Sequence, residues 1–119
     1  MDSEEMKRRT KQFAINVGVL TQGLPDSQIN RAYSNQIIRS SSSVGANYRA
    51  SRRAKSNADF INKLKIVEEE SDEALFWLEF IVDLGLMDKK LLEGFMKEAN
   101  EFVAIFTAAV KTLKTNYKS

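Results

Sequence analysis

Arg49, Arg52, Arg53 and Lys55 fall within one short stretch, and Lys63 lies a little farther along. Cations at this density can hold the phosphates of a nucleic-acid backbone without reading its sequence. Tyr48 stands beside them and offers a ring face on which a base could stack. The competing use is structural: if the stretch closes a helix, positive charge there complements the negative end of the helix dipole.

Carboxylates are the other chemically capable group. Glu68, Glu69, Glu70, Asp72 and Glu73 crowd one segment, but a carboxylate-bridged metal pair in a helical bundle normally draws on Glu-x-x-His, and the chain has no histidine. The absence of both histidine and cysteine also excludes disulfides, thiol nucleophiles, Ser-His and Cys-His catalytic pairs and Cys/His zinc sites. General acid-base work would rest on carboxylates and lysines alone. The residues thus point away from an enzyme, with no catalytic residue, metal or cofactor expected. Ser40-Ser41-Ser42-Ser43-Val44-Gly45-Ala46 has glycine but no phosphate-loop spacing and no Lys-Ser/Thr after it. Its small side chains read better as a place where another helix comes close, with the hydroxyls bonding inside their own helix.

Charge is divided along the chain. Residues 31–65 carry eight basic side chains against Asp59 alone, a block of +7, and residues 66–101 carry eleven acids against three lysines, a block of −8. The whole chain is nearly balanced at +2, which argues against a general nucleic-acid coat. Opposite blocks could instead attract between subunits. The charged start, MDSEEMKRRTKQF, is unlike a signal peptide, and the apolar runs fall short of the roughly 20 residues a membrane span needs, so a cytoplasmic location and no membrane partner are expected.

The elements that would position these groups are helices. In 119 residues there are one proline and five glycines, and the apolar positions step by three and four rather than by two. The spacing predicts helices over about 3–23, 28–53, 57–84 and 88–114, with Asp2, Asp26-Ser27, Ser56 or Asn57, and Asp88 as caps, and Gly23 and Gly85 as stops. The tail from Lys114 is expected to fray. The core stripes are Met6, Thr10, Phe13, Val17, Leu20 and Leu24; Tyr33, Ile37, Ser40, Val44, Asn47 and Ser51; Phe60, Leu64, Val67, Ser71, Ala74, Leu78 and Ile81; and Leu92, Phe95, Ala99, Phe102, Phe106, Val110 and Leu113. Short connections make consecutive helices antiparallel neighbours, so the fold class is all-α, one antiparallel up-down-up-down four-helix bundle over residues 1–119. Glu68 sits at the rim of the third stripe, and pairing of helices two and three predicts a polar layer of Ser40, Asn47, Glu68 and Ser71. Phe76, Trp77 and Phe80 extend beyond that stripe, to be covered either by a partner or by helices one and four.

The stretch from Ser34 to Met87 also carries a resemblance. Gln36-Ile37-x-Arg39, Val44-Gly45-Ala46-Asn47, Arg49-Ala50-x-Arg52-Arg53, Asp59-Phe60, Leu64, the acids from Glu68 to Glu73, and Leu84-Gly85 are similar to the centre of a family of small bacterial four-helix-bundle proteins. These were first noticed as products of intervening sequences in large-subunit ribosomal RNA genes, and they are related to accessory proteins of diversity-generating retroelements. The resemblance implies a ring-shaped homopentamer with a basic surface, with RNA or DNA and a reverse transcriptase or other protein as partners.

Two readings follow. In the first, a non-enzymatic, self-assembling bundle binds nucleic acid weakly and nonspecifically through Arg49, Arg52, Arg53, Lys55 and Lys63. In the second, the same arginines pair with acids of neighbouring subunits in a protein-interaction scaffold or accessory subunit, and nucleic acid has no role.

Overall fold

The computed structural model describes residues 2–117. Four helices, α1 (Ser3–Thr21), α2 (Gln28–Ser51), α3 (Asn57–Asp83) and α4 (Lys89–Tyr117), form an antiparallel up-down-up-down bundle with no strand among the described residues. It is a rod of 51 × 23 × 21 Å. Each boundary has a local cause. Asp2 accepts the Glu5 amide at 2.8 Å, Ser27 accepts that of Asn30 at 3.1 Å, and Ser56 accepts that of Asp59 at 3.1 Å, satisfying amides that have no partner within the helix. At the end of α3, Gly85 turns left-handed at φ +72° while the Leu86 amide reaches back to the Ile81 carbonyl at 3.1 Å. The first three helices end one or two residues before the expected limits, and α4 continues past Lys114 to Tyr117. Lys118 and Ser119, the rest of the expected frayed tail, lie outside the described residues.

One core runs the length of the rod. Met6, Phe13 and Val17 from α1, Ile37 and Val44 from α2, Leu64, Val67, Ala74, Leu78 and Ile81 from α3, and Leu92, Ala99, Phe102, Phe106 and Val110 from α4 are all buried. The helices do not contribute equally. α3 lies between α2 and α4, α1 packs mainly on α2, and α1 meets α4 only sparsely.

The serine-rich middle of α2 is explained by two features. The Ser40 and Ser41 hydroxyls are fully buried and donate to carbonyls within their own helix, Gln36 at 3.0 Å and Ile38 at 3.2 Å, so they need nothing from a neighbour. A β-carbon on Gly45 would lie 3.2 Å from the Thr10 carbonyl oxygen, so the backbones of α1 and α2 all but touch there.

The expected polar layer does not form. Ser40 and Ser71 are buried, but the Ser71 hydroxyl also bonds within its own helix, to the Val67 carbonyl at 2.7 Å. The Asn47 amide donates to the Ser43 carbonyl at 3.0 Å and to the Ser43 hydroxyl at 2.8 Å. Glu68 faces the other neighbour and accepts from Thr107 of α4 at 3.0 Å. A short polar side chain on a helix finds a carbonyl one turn back, and that local bond outcompetes a partner across the interface. Among the described residues no buried polar side-chain atom lacks a partner. The aromatic surplus on α3 is covered from α2: Tyr33 lies 4.9 Å from Phe80 and 6.1 Å from Trp77, ring centre to ring centre, while Phe76 stays 51% exposed.

The sparse α1–α4 seam depends on two contacts. Phe13 meets Phe102 edge to face at 5.5 Å, and Arg9 forks onto Glu98, with its Nε 3.0 Å from Oε2, and onto Glu101 at 2.8 Å while lying over the Phe102 ring. Hydrogen bonding to Glu98, above all, raises the Arg9 pKa further above its ordinary value. Two predictions follow from this packing. Arg9→Ala should cost about 1–2 kcal/mol and speed hydrogen exchange first in α1; uniform loss of protection in all four helices would show that the fork does not hold α1 in particular. Gly45→Ala should change stability little, because about 1 kcal/mol of helix propensity offsets the tight contact, whereas Gly45→Val should lose about 1–3 kcal/mol in urea denaturation. A valine variant as stable as the parent chain would mean that α1 is not held against α2 at this point.

Candidate nucleic-acid interface

The antiparallel pairing of α1 with α2 sets residues 7–11 about level with residues 44–48, and the first turn of α1 level with Arg49 to Arg53, because Gly45 abuts Thr10 and Lys11. The result is an open groove of about 900 Å³ walled by Lys7, Arg8 and Lys11 on one side and Arg49, Arg52 and Arg53 on the other, with Ala14, Ser42, Gly45 and Ala46 along it. Glu4 is its one acid. Arg49 and Arg53 also face a second, smaller groove of about 400 Å³ on the α2–α3 side, shared with Lys55, Asp59 and Lys63. All five cations singled out in the sequence therefore meet at one end of the rod, with Arg49 and Arg53 on the ridge between two basic grooves.

These cations differ in how far their charge is already spent. Lys7 pairs with Glu4 at 3.2 Å, and Lys63 pairs with Asp59 at 3.3 Å. Asp59 also accepts the Lys55 amide at 3.0 Å; that bond, helped by Lys63, holds its carboxyl below the usual carboxylate range. The Arg52 guanidinium lies over the Phe60 ring, 5.7 Å from its centre. Arg8, Lys11, Arg49 and Arg53 are exposed and form no ion pair with any described residue. Arg39 is spent elsewhere, on Glu70 at 2.9 Å and on Glu73.

Tyr48 is not available for stacking on a base. It is only 6% exposed, and its ring packs 5.6 Å from that of Phe106, because α2 turns this position, and not Asn47, toward the core. Burial raises its phenol pKa. Sequence reading left out Lys7, Arg8 and Lys11. Their spacing beside Thr10 on the first core stripe was the available signal, but only the packing of α1 on α2 brings them to the arginines.

Among the described residues, no cluster of carboxylates is placed to hold a metal ion, and no helix is long and apolar enough to cross a membrane. The comparisons with known proteins agree with the fold and name no reaction. None of the curated proteins matches. A crystal structure of a protein of unknown function from the S23 ribosomal protein family of Bacteroides thetaiotaomicron is similar, at 32% identity and a TM-score of 0.84, over 93% of this chain and 99% of that one. Neither this neighbour nor the matching family indicates an enzyme. Residues 3–108, which include all of α1, α2 and α3 and most of α4, match the family described as 23S rRNA-intervening sequence protein, and the chain belongs to that family.

Proposed function

We propose that the protein is a non-enzymatic, self-assembling helical bundle that binds nucleic acid weakly and without sequence preference. The observation that carries this reading is the convergence of four exposed cations without ion pairs, Arg8, Lys11, Arg49 and Arg53, on the groove between α1 and α2. Arg52, Lys55 and Lys63 extend the same basic end. Their charge suits them to phosphate, and attraction to phosphate without base readout is the interaction proposed. Membership of the 23S rRNA-intervening sequence family and likeness to a member of the S23 ribosomal protein family fit an RNA setting. The homopentamer and a protein partner such as a reverse transcriptase remain part of this proposal on the strength of the family resemblance.

The second reading is a scaffold that uses the same cations against acids of another copy. What favours it is the outward stripe of α3, where Glu69, Asp72, Glu79 and Asp83 are exposed and make no ion pair with a described residue. A basic groove on one rod and an acidic stripe on the next are complementary.

Fluorescence polarisation with labelled RNA and DNA across a salt series tests the first reading. With about four cations engaged, log Kobs should fall with log salt at a slope near −3 to −4, and Arg49→Glu with Arg53→Glu should weaken binding by more than about tenfold. Absence of binding at low salt removes the reading. Light scattering on the same variant addresses the second. A parent particle of five 13.5 kDa protomers that persists in the variant supports assembly through other faces. Its dissociation, together with no nucleic-acid binding by the parent, selects the scaffold.

A further inference from the structure

Resting on the nucleic-acid reading above, we infer that the form this groove takes is the double helix, not the single strand. Proteins that hold single strands without sequence preference pair a cationic groove with aromatic faces on which successive bases stack. Here the cations have no such platform. The neutral lining of the larger groove is Ala14, Ile15, Ser42, Gly45 and Ala46, and that of the smaller is Ala46 and Ala50. Tyr48 is turned into the core against Phe106, and Phe60, half-buried with Arg52 over one face of its ring, lines neither groove. The most exposed aromatic side chains among the described residues, Phe76 and Tyr117, line neither groove.

What the groove does offer is charge on a stiff frame. Lys7 and Lys11 are one helical turn apart on α1, as are Arg49 and Arg53 on α2, so each pair rises about 6 Å along its helix. Two packed helices stand about 8–10 Å apart, so the two pairs lie in two rows at fixed separation, staggered along the groove because Gly45 is level with Thr10. A duplex presents one phosphate per about 1.7 Å of axis, twice the density of either of its strands, and it is already straight. A single strand would have to be ordered against the rows, an entropic cost that stacking normally offsets and that nothing here repays. The duplex consequently gains more counterion release for each cation, with a salt slope of about −0.9 per contact against about −0.7.

The test is a polarisation titration of the full chain with one mixed-sequence oligonucleotide presented as a single strand and as a duplex, in both RNA and DNA. The duplex should bind at least about tenfold tighter in at least one of the two chemistries, and shuffling its sequence should leave the affinity unchanged. A single strand that binds as well as or better than the duplex in both chemistries overturns this inference while leaving nucleic-acid binding in place. No binding to any of the four probes removes the nucleic-acid reading and this inference with it. Tyr117→Ala and Phe76→Ala supply an independent check: affinity unchanged in both supports phosphate-only contact, and an about tenfold loss in either shows that bases stack and overturns it.

Discussion

The approach of α1 to α2 at Gly45 is the constraint on which the surface of this protein depends. Elsewhere in the bundle the spacing of helices is set by the side chains between them, but at Gly45 a β-carbon would already stand 3.2 Å from the Thr10 carbonyl oxygen. The serines around it make such closeness tolerable, since Ser40 and Ser41 are small and their hydroxyls bond to carbonyls of α2 itself. A leucine stripe here would hold α1 farther out. Close approach then brings Lys7, Arg8 and Lys11 alongside Arg49, Arg52 and Arg53, and the repulsion among them acts within the roughly 8–10 Å over which salt leaves charges unscreened. Glu4 beside Lys7 and the ring of Phe60 beside Arg52 relieve part of it. The basic groove is therefore a consequence of packing as much as of composition.

The opposite side of α1 shows why so much acid can coexist with so much base. Arg9 ties α1 to Glu98 and Glu101 of α4, and Arg39 ties α2 to Glu70 and Glu73 of α3. Each arginine serves two glutamates on a neighbouring helix, and two of the seams are thereby closed by charge as well as by apolar contact. Exposed ion pairs contribute little singly, but the Arg9 fork is only 18% exposed on the arginine side and lies over Phe102, where screening by water is weaker. Much of the −8 block is thus consumed inside the molecule. The acids left over, Glu69, Asp72 and Glu79 among them, face outward from α3.

Legibility in the sequence followed the strength of the apolar signal. On α1 and α3 alternating steps of three and four placed Met6, Phe13 and Val17, and Leu64, Val67, Leu78 and Ile81, where the structure buries them. On α2 the stripe is small and polar, so its phase was poorly marked. Three turns of 3.6 residues span about eleven residues, so Tyr48, eleven after Ile37, shares its buried face, while Asn47 lies one residue off it. That one-residue offset took away the stacking partner imagined beside the arginines. The polar layer failed for a different reason: burial of Ser40 and Ser71 was readable, but the sequence does not say whether a hydroxyl will bond to its own helix or to the next. Of the basic end, Arg49, Arg52, Arg53, Lys55 and Lys63 were readable as a local cluster, while Lys7, Arg8 and Lys11 belong to it only through tertiary contact.

The remaining charges bear on how assembly and polyanion binding relate. Arg49 and Arg53 cannot hold phosphate and a neighbour's carboxylate at the same time, so the two uses of the ridge compete for the same atoms. An oligomer that left the ridge open would have to be built from other surfaces, and exposed apolar side chains would suit them. Val19 stands exposed on α1 outside the groove, and Phe76 stands on the outer face of α3 between the acids. Contacts of that kind persist at salt concentrations that strip phosphate from lysine and arginine, because apolar burial does not depend on screened charge. Salt would therefore separate the two proposed uses: it would release a bound polyanion first and leave a particle joined through apolar faces intact, whereas a particle joined through the ridge would come apart together with any nucleic acid it held.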